Sequence, residues 1–183
     1  MYKMLCGCFD TATLREKFTV DMKNDSNVAI LSQSGALGIV EIENLKNAIS
    51  PKVIVSYGNQ LDVDPCDLFN FFQSDPMVDV IGCYIEGFKP NAGRKFFNIA
   101  ARSKKPIIVY KAGRTEAGRK ATESHTASIA GEYDVAKADM NQAGIIFADS
   151  IMDHGDFIKS FALLNDFSVT GKRVAIVANA GYE

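Results

Sequence analysis

One of only two histidines in the chain, His125, stands in the run Ser124-His125-Thr126-Ala127-Ser128-Ile129-Ala130-Gly131. A neutral imidazole is a good nucleophile toward phosphorus when a carboxylate holds its other ring nitrogen. His125 is therefore a candidate for phosphoryl transfer, with a surface or structural histidine as the other reading. Glu86 offers a carboxylate: it follows Tyr84-Ile85, precedes Gly87, and can either orient His125 or cap the loop it opens. A third candidate is Ser32-Gln33-Ser34-Gly35-Ala36-Leu37-Gly38, directly after an apolar run. Small residues there let a strand turn closely into a helix whose free N–H groups hold an anion. The spacing is neither the dinucleotide fingerprint nor a phosphate loop ending in Gly-Lys-Ser or Gly-Lys-Thr. An ordinary helix start with Ser34 as N-cap is the alternative.

Several weaker candidates surround these. Gly58-Asn59-Gln60-Leu61-Asp62-Val63-Asp64 either shapes the rim of a site or supplies acids that begin the next helix. Lys111, Arg114, Arg119 and Lys120 bracket the approach to His125, as a phosphate-attracting group or as a solvated face. His154, beside Asp153 and Gly155 at a helix start, reads as structural. The four cysteines, Cys6, Cys8, Cys66 and Cys83, are scattered as reduced thiols would be, and no metal site is expected.

Positioning these groups falls to a regular alternation. The runs Val28 to Leu31, Val53 to Val55, Val78 to Ile85, Ile107 to Tyr110 and Ile145 to Phe147 are short and rich in β-branched residues, as buried parallel strands are. Between them Leu37, Val40, Leu45 and Ile49 recur at helical spacing, and later Phe157, Ile158, Phe161 and Leu164 do the same. Further helices are expected over Asp67 to Gln73 (Leu68, Phe71 and Phe72 inward), Gly93 to Arg102 (Phe96, Phe97 and Ala100 inward) and Tyr133 to Gln142, before Gly144. This order predicts an α/β fold: a doubly wound, mostly parallel sheet with right-handed crossovers. Gly113 to Gly131 lacks a core-facing stripe and reads as a functional excursion.

The 183 residues suffice for one large domain or one with part of another. Three segments are expected: 1–26 as a lead-in or the remainder of an upstream domain, 27–168 as the main domain, and 169–183 as a linker and the start of a truncated second α/β domain. The last rests on the strand-like Arg173 to Ala178 and on the echo of Val28 to Gly35 in Val174 to Gly181. A net charge of -2, 47% hydrophobic and 23% charged residues describe a globular chain without the basic excess that draws nucleic acid or an anionic bilayer. With no signal peptide or membrane-length apolar run apparent, a cytoplasmic location is expected.

Taken in order, Ser32 to Gly38, Gly58-Asn59, Asp62-Val63-Asp64, Glu86-Gly87, Lys111-Ala112-Gly113-Arg114 and Ser124-His125-Thr126 resemble the nucleotide-diphosphate-forming acyl-CoA synthetases. The similarity is greatest to the α part of the ADP-forming acetate-CoA ligases and more distant to succinyl-CoA synthetase, and it runs from about Asn27 to Gly181. The resemblance implies a flavodoxin-like, succinyl-CoA synthetase-like domain in which His125 is the phosphohistidine and Glu86 supports it. It further implies a phosphate site at Ser32, Gln33, Ser34, Gly35 and Ala36, with Gly58, Asn59, Lys111, Arg114, Ser124 and Thr126 in support. The implied reaction, acyl-CoA plus ADP and phosphate giving acid, CoA and ATP reversibly, needs CoA, ADP or ATP and magnesium, none permanently bound and their main sites outside this chain. Implied partners are a CoA-binding domain, a nucleotide-grasp domain or subunit and an oligomeric assembly. A noncatalytic phosphate or small-molecule binding module, or an assembly subunit of such a ligase, is the alternative. Ala127 and Gln60 depart from the family's usual glycine and lysine, and Tyr182 from a common glycine.

Overall fold

A computed structural model describes residues 25–126 and 133–167, with 170–173, 175 and 177, and gives the main chain alone at 25 and at 123–126. Strands and helices alternate: β1 (Asp25–Ser32), α1 (Gly35–Leu45), β2 (Ser50–Ser56), α2 (Pro65–Ser74), β3 (Val80–Ile85), α3 (Ala92–Ala100), β4 (Ile107–Lys111), α4 (Glu116–Thr126), α5 (Tyr133–Gln142), β5 (Ile146–Ala148) and α6 (Ile151–Leu163). The strands form one five-stranded sheet in the order β2-β1-β3-β4-β5, every neighbouring pair parallel. That is the expected doubly wound, flavodoxin-like architecture, and its chain order reverses between β1 and β3.

Successive residues of each strand join opposite faces of the sheet and both are buried, so both faces carry a core. Ala29, Leu31, Val53, Val55, Ile81, Cys83, Ile85 and Val109 join Cys66, Phe69 and Phe72 of α2, Phe96 and Ala100 of α3 and Met140 of α5. Val28, Ile30, Ile54, Val80 and Ile108 meet Ile42 and Leu45 of α1 and Ile158 of α6 on the other face. This two-sided burial is why the strands read as continuous apolar runs.

The helices differ from expectation in phase more than in position. α2 begins two residues early because Pro65 follows Asp64, whose side chain caps Asp67 N–H while the Asp67 side chain returns to the Asp64 N–H. Of the acids at 62 and 64, Asp64 thus begins the helix; Phe72 is buried as expected, and Phe69 joins it in place of Phe71, which is exposed. α1 buries Gly38, Glu41, Ile42 and Leu45, leaving Val40 exposed. α6 buries His154, Gly155 and Ile158, while Phe157, Phe161 and Leu164 are exposed. In both cases a buried polar residue, Glu41 or His154, lies on the stripe and hides its phase from a search for apolar residues alone.

The excursion from Gly113 is helical over Glu116–Thr126. It has no large apolar side chain; Thr115 Oγ1 accepts the Gly118 N–H at 3.1 Å and Lys120 pairs with Glu116 at 3.0 Å, local devices that support a polar helix. Residues 127–132, including Ala127, lie outside the described residues, as do Cys6, Cys8 and half of the expected strand Arg173 to Ala178, whose described members Arg173, Ala175 and Val177 are not in a strand. Cys66 and Cys83 are buried free thiols. Among the described residues no helix is long and apolar enough to cross a membrane.

Candidate functional site

The carboxyl ends of β1, β3 and β4 lie side by side, Ser32 in register with Tyr84 and Ile85 with Lys111. This is the crevice where open parallel sheets gather ligands. At β1 the turn is built from its own serines: Ser32 Oγ donates to the Ser34 carbonyl at 2.5 Å and accepts the Ser34 N–H at 3.2 Å. Ser34 is the N-cap of α1, its Oγ accepting the Leu37 N–H at 3.4 Å. The N–H groups of Gly35 and Ala36 have no intrahelical acceptor by geometry, and both residues are exposed. Those two amides and the positive end of the helix are what this turn offers an anion.

Gln33 is only 4% exposed, and its polar groups turn away from the helix start. Its N–H donates to the Tyr84 carbonyl at 3.1 Å, and its Oε1 accepts the N–H groups of Glu86 at 2.8 Å and Gly87 at 3.2 Å. The Gly87 carbonyl in turn accepts from Gln60 Nε2 at 2.8 Å. Tyr84 donates its hydroxyl to Glu86 Oε1 at 3.2 Å; burial first, and then the Glu86 charge, push the Tyr84 phenol up, so it remains a donor. Tyr57, fully enclosed and likewise raised by burial, donates to the Tyr84 carbonyl at 3.1 Å. Glu86 therefore sits on a loop tied to β1, to the turn after β2 and to β3. Gly58 and Asn59 belong to that second turn, where Gly58 is at φ 54° and Gln60 at φ 59°, and Asn59 is exposed.

A groove of about 460 Å³ opens beside Glu86, lined by Tyr84, Tyr110, Ala112, Gly113, Arg114 and Thr115 and by Gly118, Ala121 and Thr122 of α4. His125 lies in the last turn of the same helix, three residues beyond Thr122 and four beyond Ala121, with Ser124 and Thr126 on either side of it in the sequence. The side chains of all three lie outside the described residues. The structure thus ties the Ser32 to Ala36 turn to Glu86 through Gln33 and places the His125 main chain in the last turn of the helix whose Gly118, Ala121 and Thr122 line the groove with Glu86.

The basic group divides. Lys111 is 2% exposed, donates to the Ala112 carbonyl at 3.0 Å, and is lowered by that burial. Arg114 reaches the Asp149 carbonyl at 3.4 Å from the groove, and Lys120 is an exposed partner of Glu116. Between them Gly113 turns at φ +89°, a conformation that favours glycine, and a Cβ there would stand 3.9 Å from Lys111 Nζ. Among the described residues no three His, Cys, Asp or Glu side chains are grouped to hold a metal ion.

Two contributors were not legible beforehand. Tyr84 and Tyr110, paired across strands with ring centroids 5.7 Å apart, carry no motif, and the binding of Glu86 and Gly87 by two glutamines has no local spacing to betray it. His154, expected to be structural, is fully buried, its Nδ1 2.7 Å from Glu41 Oε1 and its Nε2 3.3 Å from the Ile108 carbonyl.

A family model described as a succinyl-CoA ligase like flavodoxin domain matches residues 25–161. The subunit alpha of ADP-forming acetate–CoA ligase I from Pyrococcus furiosus is 41% identical over 157 residues, a span that covers 84% of this chain and 33% of that protein. The ADP-forming acetate–CoA ligase of Methanocaldococcus jannaschii is 39% identical over 158 residues, 84% of this chain and 22% of the relative. Among solved structures, the dinucleotide forming acetyl-coenzyme A synthetase 1 of Ca. Korarchaeum cryptofilum, in complex with phosphate and ADP, is similar with a TM-score of 0.71 and 45% identity. The match covers 76% of this chain and 31% of that one. The chain thus spans a third or less of the length of these relatives.

Proposed function

The chain belongs to the family of succinyl-CoA-ligase-like flavodoxin domains, and from that premise we propose that it is the phosphohistidine-bearing domain of an ADP-forming acyl-CoA synthetase. The observation that carries the reading is the groove lined by Glu86 and by α4, the helix that carries His125 in its last turn, with Glu86 bonded to the turn that opens α1. In the proposed reaction an acyl phosphate, made from acyl-CoA and phosphate with release of CoA, gives its phosphoryl group to His125. The P–N bond forms as the P–O bond to the acyl oxygen breaks, and the carboxylate leaves. ADP then takes the phosphoryl group, breaking the P–N bond and forming ATP.

Each residue has a physical task in that sequence. Glu86 accepts a hydrogen bond from the second ring nitrogen and favours the charge that develops on the imidazole as it attacks. Gly35 and Ala36 hold phosphate oxygens through N–H groups that cannot compete as nucleophiles, at a helix start that Ser34 caps. The buried Lys111 charge under the Gly113 turn, with Arg114, favours an anion in the groove; Gly58 and Asn59 form its rim, and Ser124 and Thr126 flank the reacting ring. CoA, ADP and magnesium enter as reactants of a larger assembly, with main sites on a CoA-binding domain and a nucleotide-grasp domain or subunit.

The test is localisation of phosphate by mass spectrometry after the full assembly is incubated with ATP and magnesium. His125 should carry an acid-labile, base-stable phosphate, and His125→Asn should remove both it and thioester turnover while folding and phosphate affinity remain. Turnover equal to wild type in His125→Asn would sink the relay.

A further inference from the structure

We propose that Gln33 is the positioning residue of this site, its side chain aiming the Glu86 carboxylate instead of holding phosphate; the assignment rests on the phosphohistidine reading above. A glutamine at a helix start ordinarily turns its amide to solvent or to a ligand. Here the side chain is buried, and one oxygen accepts two consecutive main-chain N–H groups, those of Glu86 and Gly87. This fixes which way the carbonyl oxygen points, because Nε2 cannot accept. Gln33 N–H also holds the Tyr84 carbonyl, so a single residue between β1 and α1 grips the β3 loop on both sides of Ile85.

Gln60 completes the grip from the turn after β2 by donating to the Gly87 carbonyl. It does so from φ 59°, a conformation that L residues other than glycine adopt infrequently and that needs support from its surroundings. Among the described residues each glutamine keeps one buried atom without a hydrogen-bond partner, Gln33 Nε2 and Gln60 Oε1. Apolar side chains in their places would leave the Glu86 and Gly87 N–H groups and the Gly87 carbonyl without these partners, so the loop's main chain is held in one direction by the two amides. What the two amides achieve is orientation. With its main chain fixed by Gln33 and Oε1 taken by Tyr84, Glu86 is left with Oε2 as the oxygen that meets an imidazole N–H.

The experiment uses the full assembly with acetyl-CoA and inorganic phosphate and follows single-turnover phosphorylation of His125. Gln33→Met keeps the side chain's length and removes its acceptor. It should lower the phosphorylation rate at saturating phosphate by about 10–100-fold, the usual effect of losing a group that orients a reacting residue, with the KM for phosphate within about twofold of wild type. In a Glu86→Gln background, itself slowed by a similar factor, Gln33→Met should change the rate by less than about twofold, since the carboxylate it aims is already gone. Circular dichroism checks folding, and Gln60→Met, which loses only the Gly87 bond, is the second probe, with the same pattern expected. Equal slowing in both backgrounds, or a raised KM with an unchanged saturated rate, would overturn the assignment and leave the phosphohistidine reading standing. A wild-type assembly that turns over thioester with no phosphate on His125 would overturn both.

Discussion

Lys111 concentrates the electrostatics of the site in one residue. The residue is 2% exposed and its ammonium donates to the Ala112 carbonyl, so burial opposes the charged form and lowers its pKa below the ordinary lysine value. Between the folded and ordinary values the unfolded chain binds the extra proton, and stability rises with pH across that window; below it the buried charge opposes folding in full. Lys111→Met should therefore be more stable than wild type at pH 7, by on the order of 1 kcal/mol, and the gap should narrow as pH rises toward the lysine range. Phosphate should raise the melting temperature of wild type more than that of the variant. Thermal denaturation at pH 7 and pH 10, with and without phosphate, tests this. A variant that melts below wild type at pH 7 would contradict it.

Packing of α6 on β3 is a matter of elements meeting closely. Gly82 lies mid-strand beneath Ile158, where an added Cβ would come within 2.5 Å of Ile158 Cδ1 and 3.6 Å of His154 Cε1. Ile158 is fully buried, so its methyl has little room to retreat and Gly82→Ala should cost about 1–3 kcal/mol by overpacking. Ile158→Val deletes the clashing carbon and should recover most of the loss in the Gly82→Ala background, although alone it destabilises. Urea midpoints of the four proteins close the cycle; strictly additive losses would place the strain elsewhere. α6 can approach this closely only because its buried stripe runs through His154, Gly155 and Ile158, with Phe157 and Phe161 turned outward.

Across the whole molecule the Glu41 and His154 pair joins α1 to α6 over the sheet, both ring nitrogens facing oxygen acceptors. α1 presents the Gly35 and Ala36 amides at one end and Glu41 near its middle, so the same bond that joins α1 to α6 holds the helix that carries the proposed anion site. Glu41→Met, which strips a buried histidine of its carboxylate, should destabilise by about 3–5 kcal/mol. The double variant Glu41→Met/His154→Leu should be more stable than Glu41→Met alone, because an apolar pair leaves no buried polar group without its partner. Chemical denaturation measures both, and a double variant no better than the single would show that the pair acts through packing alone.

Local pattern was enough for the five parallel strands, the Ser34 helix start and the polar run around His125, because β-branched runs, cap residues and turns express themselves within a few positions. The helical form of Glu116–Thr126 escaped, since a helix held by a cap and an ion pair has no apolar stripe to detect. Partner choice escaped too: Gln33 meets Glu86 across 53 residues and His154 meets Glu41 across 113. The amino-acid sequence by itself determined the five strands, the other five helices, their order and the family. Only the tertiary structure decided that Gln33 serves the Glu86 loop, that a buried carboxylate and imidazole set the phase of two helices, and that Glu86 shares a groove with α4. Periodicity records which residues avoid water, whereas these contacts arise when a sheet whose order reverses between β1 and β3 sets distant segments side by side.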